Sequence, residues 1–84
     1  MKIVYTKHSR NKFRLFKAHG LRITKEQVEE ALLKPESVTL GVKGRLIAQG
    51  RLNETHVIRV IYSKEKDIIK VITFYPARRE RYEG

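Results

Sequence analysis

The sequence predicts an α+β fold in which two N-terminal helices pack on one face of a twisted antiparallel sheet. Two observations support this prediction. Up to Pro35 apolar residues mostly recur at the spacing of a helix, and after Pro35 they alternate at the spacing of a strand. A chain of 84 residues has room for one hydrophobic core, so we treat residues 1–84 as a single domain with the order β-α-α-β-β-β-β.

The first elements are a short strand and a helix. Residues 2–6 (KIVYT) alternate weakly, as in a strand. Residues 7–19 follow helical spacing, and at about 100° per residue Phe13 and Phe16 fall on one narrow arc that should face the core. Gly20 fits the position after the last helical residue, where a left-handed backbone is common.

A second helix is predicted to begin at Thr24 and to end before Pro35. Thr24 and Gln27 have the spacing of a capping box, in which each side chain binds a backbone N–H that the first turn leaves unpaired. Proline disfavours helical backbone at the residue before it, so Pro35 should end this helix. The expected buried stripe consists of Val28, Ala31 and Leu32.

The remaining chain is predicted to form four strands, at 37–42, 44–52, 55–63 and 67–75. The connections between these strands are short enough for hairpins, so we expect an antiparallel meander. In the strand at 44–52, one alternating set suits packing against the helices: Leu46, Ala48, Gly50 and Leu52. The other set suits an open face: Arg45, Ile47, Gln49 and Arg51.

The chain is strongly basic. Nineteen Lys and Arg against nine Asp and Glu give a net charge of +10 and a pI near 10.2. This balance favours an anionic partner, such as nucleic acid, an acidic protein segment or an anionic membrane surface. The charge is also segregated, because residues 1–25 carry eight basic and no acidic side chains, whereas residues 26–42 carry four glutamates and one lysine.

Composition excludes or disfavours several functional classes. The absence of cysteine removes disulfides, thiolate metal sites and thiol catalysis. The sequence has no signal-peptide pattern and no apolar run of about 18 residues, so we expect a cytoplasmic protein without membrane association. No histidine or carboxylate cluster has metal-ligand spacing, and no glycine-rich loop has a phosphate-binding pattern. Neither a metal nor another cofactor is therefore expected.

The end of the chain, YPARRERYEG, places three arginines and a tyrosine directly after an apolar strand. One interpretation is a solvated tail that keeps a small protein soluble. The other is a phosphate site, because arginine offers planar, bidentate donors and tyrosine offers a stacking face or a proton donor. Pro76 should fix the exit from the strand and hold the arginines near the sheet. The second interpretation favours RNA or another phosphodiester as the partner, and DNA binding stays open.

Other polar residues allow both a structural and a functional interpretation. Arg59 interrupts a strand that is apolar on both faces, where it either pairs with a glutamate or faces an anion from the open face. His8 can bond the backbone at the start of a helix or act chemically, and Lys12, one turn on, can be solvated or assist it. Arg45 and Arg51 belong to the polar face of their strand, where simple solvation is the structural interpretation.

A resemblance to known proteins, which covers nearly the whole chain, is carried by four segments between residues 7 and 82: KHSRNKF, ITKEQVEEALLKPESV, HVIRVIY and VITFYPARRERY. As a set they resemble a family of small uncharacterised proteins related to the RelE/ParE toxin superfamily. The resemblance implies a RelE-like fold, with two N-terminal helices against an antiparallel sheet. It also implies a toxin–antitoxin setting, in which an acidic antitoxin protein covers the basic face of the toxin.

The resemblance further implies a reaction and a set of site residues. RelE-like toxins are metal-independent endoribonucleases that cleave mRNA, often inside the ribosome, by attack of the 2′-hydroxyl on the adjacent phosphate. This chemistry needs a base, cations for the phosphorane charge and an acid for the leaving oxygen. The implied catalytic residues are His8 as base with Lys12 beside it, Arg59 and Arg79 as phosphate clamps, and Tyr82 as stacker or proton donor. From the basic residues of the sequence itself, the expected flanking RNA contacts are Lys43, Arg45, Arg51, Arg78 and Arg81.

Two other functions stay open. A protein of the same fold can bind RNA without cleaving it. ParE-type relatives inhibit gyrase instead of cutting RNA, so the fold alone does not decide the reaction. The expected partners are accordingly RNA or the ribosome, or else a protein target, together with an acidic antitoxin. The sequence does not predict an oligomeric state.

Overall fold

The computed structural model describes residues 1–81, apart from the side chain of Arg81. Its two helices are α1 (Lys7–Ala18) and α2 (Lys25–Leu33). Its five strands are β1 (Lys2–Tyr5), β2 (Ser37–Leu40), β3 (Leu46–Arg51), β4 (His56–Glu65) and β5 (Ile68–Arg78), with short 3-10 turns at Val42–Gly44 and Arg79–Arg81. The predicted α+β class and the predicted order of elements are confirmed.

The five strands form one mixed sheet in the order β1-β5-β4-β3-β2. The predicted meander is confirmed, since each strand from β2 to β5 is antiparallel to the next. The prediction of a wholly antiparallel sheet is wrong at β1, which pairs in parallel with β5 from Lys2↔Ile68 to Tyr5↔Val71. The chain leaves β1 through both helices and enters the sheet again at its opposite edge. The partner of β1 is therefore the last strand. Because no hairpin turn joins the two strands, the sequence offers no local signal for their pairing.

The start of α1 is fastened to an irregularity in the sheet. Between β4 and β5 the register shifts from Ile61↔Thr73 to Tyr62↔Val71, which leaves Ile72 without an opposite residue in β4. Thr6, the N-cap of α1, donates its hydroxyl to the Ile72 carbonyl oxygen at 3.0 Å. The same hydroxyl oxygen accepts the backbone N–H of Ser9 at 3.1 Å. One side chain thus joins β1, α1 and the bulge.

Both helices cover the same face of the sheet. The rings of Phe13 and Phe16 pack on Phe74 of β5, with ring centroids 4.6 and 5.9 Å apart. α2 lies so close to β3 that a Cβ added at Gly50 would stand 2.6 Å from the Cβ of Ala31. The predicted capping box of α2 and its buried stripe of Val28, Ala31 and Leu32 are confirmed.

The last strand is longer than predicted. We expected it to end at Tyr75, with Pro76 fixing the exit, but β5 continues to Arg78, opposite His56 of β4. The backbone N–H of Arg79 donates to the Thr55 carbonyl oxygen at 2.9 Å. Because backbone groups of successive residues in an antiparallel strand point to alternate sides, the nitrogen of Pro76, three residues earlier, points away from β4. β1 reaches only as far as Val71 along that edge, so no ladder bond is lost at the proline.

Candidate nucleic-acid interface

The side of β3, β4 and β5 that faces away from the helices is the candidate interface, and we call it the open face. Ala48, Val60 and Phe74 stand opposite one another in the core, so their neighbours along each strand point to the other side. The residues of the open face are Ile47, Gln49, Arg51, Val57, Arg59, Ile61, Thr73, Tyr75 and Ala77. The predicted division of β3 into an open set and a helix-facing set agrees with this arrangement.

The centre of the open face is a row of three polar side chains, one from each strand. Gln49, Arg59 and Tyr75 stand directly opposite one another in the register. Arg59 donates from Nε to the Tyr75 hydroxyl oxygen at 3.0 Å and from a terminal nitrogen to Gln49 Oε1 at 2.7 Å. Gln49 is 5% exposed, so its amide is a fixed anchor. Both of these partners are uncharged, and the two bonds fix the orientation of the guanidinium.

This row fixes the hydroxyl of Tyr75 beside Arg59, a contact that the sequence did not indicate. Its hydroxyl oxygen accepts from Arg59, so its own proton is left for an acceptor other than Arg59. A phenol in this arrangement can donate to a phosphate oxygen or a leaving oxygen. Gln49 and Tyr75 were not assigned a function from the sequence. The alternation of β3 placed Gln49 on the open face, but its contact with Arg59 depends on the strand register.

Basic residues lie at both ends of the open face. Lys43 is in the left-handed region (φ 57°) of the turn between β2 and β3, and Arg45 follows that turn. Arg51 ends β3 and is exposed, opposite Val57 near the start of β4. At about 3.3 Å per residue, the line from Arg45 past Arg59 to Arg51 is roughly 20 Å long. The face therefore carries basic side chains at its centre and at both ends.

Arg79 is engaged in an ion pair across the sheet. Its backbone is bonded to Thr55, which precedes β4, whereas its guanidinium contacts both carboxylate oxygens of Glu36, which precedes β2, at 3.2 and 3.4 Å. Such a partly exposed pair contributes little to stability, typically about 0–1 kcal/mol. A phosphate that approached Arg79 would compete with Glu36 for the same donors.

His8 and Lys12 lie away from the open face. They are on the outer surface of α1, beside Asn11 and Leu15, and α1 packs on the opposite side of the sheet from Arg59. The ammonium nitrogen of Lys12 is 5.0 Å from the ring centroid of Phe16, and partial burial lowers the pKa of Lys12. The structure thus does not bring His8 and Lys12 together with Arg59 and Arg79.

The remaining predicted site residues are at the C-terminal end. Arg78 is exposed and, by alternation from Ala77, projects from β5 on the side of the helices. Arg81 ends the short turn at Arg79–Arg81. Tyr82, predicted as stacker or proton donor, lies outside the described residues.

Among residues 1–81, no three His, Asp or Glu side chains are grouped closely enough to hold a metal ion. Neither α1 nor α2, the helices in this part of the chain, is long and apolar enough to cross a membrane.

In comparisons with known proteins, the chain matches no family model, no curated protein and no solved structure. The resemblance to the RelE/ParE superfamily therefore stays a prediction.

Proposed function

We propose that this chain is an RNA-binding protein, of the RelE-like class that the sequence predicts, and that its open face holds the RNA backbone. The observation that carries the proposal is the oriented guanidinium of Arg59 at the centre of that face. Guanidinium stays charged at all physiological pH values and matches phosphate with paired donors. The net charge of +10 adds a long-range attraction for a polyanion.

The shape of the open face favours a single strand over a duplex. Three adjacent strands form a broad surface, whereas the major groove of B-DNA admits a helix or a two-stranded ribbon. Tyr75 is half-buried beside Arg59 and supplies an aromatic surface for an unstacked base. Sequence-tolerant binding of single-stranded RNA combines basic and aromatic groups in this way.

The binding proposal is tested with matched removals of one positive charge. Arg59→Gln removes the central charge of the open face, and Arg10→Gln removes an equal charge from the exposed surface of α1. We expect Arg59→Gln to weaken binding of a fluorescently labelled single-stranded RNA about tenfold and to reduce the salt dependence of the affinity by about one phosphate contact. Fluorescence anisotropy at several KCl concentrations measures both quantities.

The control decides whether binding is localised. Arg10→Gln should change the affinity only slightly, and Arg51→Gln, exposed on the same face, should weaken it in the same direction as Arg59→Gln. Circular dichroism of each variant checks that the fold is kept. Equal losses for Arg59→Gln and Arg10→Gln would contradict a specific open-face site, and so would wild-type affinity in both open-face variants.

Cleavage of the bound RNA is a second candidate function, favoured by the Arg59–Tyr75 contact. The 2′-oxygen attacks the adjacent phosphorus and gives its proton to water, and the bond from phosphorus to the 5′ oxygen breaks. The guanidinium can stabilise the phosphorane charge while the phenol of Tyr75 donates its proton to the leaving 5′ oxygen. We expect products that end in a 2′,3′-cyclic phosphate when labelled RNA is incubated with the protein alone in EDTA, or with the protein and ribosomes in a buffer that contains the Mg²⁺ ribosomes need. Tyr75→Phe should lose cleavage while keeping RNA affinity. No product in either reaction would remove the cleavage candidate and leave the binding proposal intact.

A further inference from the structure

The outer edge of β2 is an exposed strand edge with apolar side chains. Within residues 1–81, the sheet ends at β2, and no strand pairs with its outer side. Val38 is 47% exposed and Leu40 is 77% exposed. Both stand opposite core-packed residues of β3, Ala48 and Leu46, so they belong to the helix-covered face but lie beyond the cover of the helices. Proteins usually protect such edges with charges, bulges or covering segments.

The backbone of β2 is oriented for further pairing. Gly41 donates its N–H to Arg45 at 2.7 Å, on the β3 side. Because successive residues turn their backbone groups to alternate sides, Thr39 also faces β3, whereas Val38 and Leu40 turn their N–H and C=O outward. The outward groups on β2 are thus two residues apart and flank Thr39.

We propose that β2 pairs with β2 of a second copy of this chain, antiparallel and centred on Thr39. In this register Val38 of one copy exchanges both backbone bonds with Leu40 of the other, and the reverse pair does the same. The two aliphatic side chains of each pair lie side by side on the helix-covered face, where they bury each other. If the register were shifted to either side, some of the outward N–H and C=O groups of Val38 and Leu40 would be left unpaired.

The charge distribution favours a second copy at this edge. The chain carries +10 overall, so most of its surface repels an identical molecule. Residues 25–42, which include α2 and β2, carry four glutamates and two lysines. No charged residue lies within Ser37–Val42 itself. Two copies should consequently repel each other less at this edge than across basic parts of the surface, and the pairing does not depend on RNA or on the open face.

Sedimentation velocity over a range of protein concentrations tests the proposal. We expect wild type to form a dimer of twice 9.9 kDa. Leu40→Lys should raise the dissociation constant at least about tenfold, because it places an ammonium in the paired apolar strip. Leu15→Lys, at a leucine that is 52% exposed on α1, is the matched control and should leave the dimer unchanged. Monomeric wild type at every concentration, or an unchanged Leu40→Lys dimer, would overturn the proposal.

A cross-linking experiment tests the register without disturbing the apolar strip. The chain has no cysteine, so Thr39→Cys introduces a single thiol at the proposed two-fold axis. Residues opposite each other in a non-hydrogen-bonded antiparallel pair have Cα atoms about 4.5 Å apart, which is within the range of a disulfide. We expect mild oxidation to give a covalent dimer of Thr39→Cys much faster than of Leu15→Cys. Equal rates for the two variants would show that the copies do not meet at β2.

Discussion

At the scale of single residues, Gly50 shows how closely α2 and β3 approach. A Cβ at Gly50 would stand 2.6 Å from the Cβ and 2.8 Å from the Cα of Ala31, so the helix would have to move away from the sheet. Gly50→Ala should therefore lower the free energy of unfolding by about 1–3 kcal/mol, as overpacking does. Urea unfolding followed by circular dichroism measures the change.

The control for this prediction is Gly41→Ala. Gly41 has an ordinary negative φ, and its added Cβ would meet mainly the flexible side chain of Ile47 at 3.3 Å. We expect a smaller loss of stability than for Gly50→Ala. A Gly50→Ala variant that is as stable as wild type would show that α2 can move without cost.

The face on which a residue lies was predictable from the sequence where a single local pattern decided it. The period of two in β3 separated Leu46 and Ala48 from Gln49 correctly, because alternation is a property of one strand. The contacts of Arg59 were not predictable, because they require the register of three strands together. Likewise, the family resemblance grouped His8 with Arg59, although the fold separates them by the thickness of the sheet.

At the scale of elements, Thr6 holds α1 against the sheet through two hydrogen bonds. Thr6→Ala removes the N-cap and leaves the bulge carbonyl of Ile72 without this donor. We expect a loss of about 2 kcal/mol in the free energy of unfolding, at the upper end for caps. Thr24→Ala removes only the cap of α2 and should cost about 1 kcal/mol.

Thermal or urea unfolding of these variants measures the difference. Thr6→Ser keeps the hydroxyl and serves as the matched control, with stability close to wild type. An equal loss for Thr6→Ala and Thr24→Ala would mean that the bond to Ile72 adds nothing beyond the cap.

Elements were well predicted where their signals are local. The capping box, the buried arcs of both helices and the hairpin turns fixed element type and order. The exceptions involve contacts between distant segments. β1 pairs with a strand more than sixty residues later, the bulge at Ile72 depends on both β4 and β5, and Pro76 is tolerated only because β1 is short. None of these three contacts can be predicted from a short window of sequence.

At the scale of the whole molecule, a tyrosine links the first strand to the second helix and makes stability depend on pH. Tyr5 donates its hydroxyl to Glu29 at 2.7 Å. Burial raises the pKa of Tyr5 above its ordinary value of 10.0, and the bond to the Glu29 carboxylate raises it further. The folded state thus keeps a proton that the unfolded chain loses near pH 10, so this stabilisation is complete below pH 10 and falls as the pH rises beyond it.

Tyr5→Phe removes this contribution to the pH dependence. Between about pH 8 and pH 11, we expect the variant to lose less of its free energy of unfolding than wild type, by up to about 1 kcal/mol because the phenol is only partly buried. Glu29→Gln should give an intermediate result, since burial still acts on Tyr5. Urea unfolding at both pH values measures the losses, and identical losses in wild type and Tyr5→Phe would contradict the assignment.

The excess of positive charge should make the melting temperature of the whole molecule depend on salt. A net charge of +10 on a domain of 84 residues means that like charges repel one another within the folded state. Added KCl screens this repulsion, and we expect the melting temperature to rise by several degrees, since about 1 kcal/mol corresponds to roughly 4–8 °C for a domain of this size. RNA affinity should fall over the same range of salt.

Arg10→Glu is the variant that separates self-repulsion from other effects of salt. It lowers the net charge from +10 to +8, because one positive charge becomes one negative charge on an exposed part of α1. Its melting temperature should respond less to KCl than that of wild type. A melting temperature of wild type that falls with salt would mean that attractive pairs outweigh repulsion. The basic surface would then be part of what stabilises the fold, whereas under self-repulsion it lowers the free energy of unfolding, and any bound polyanion would reduce that loss.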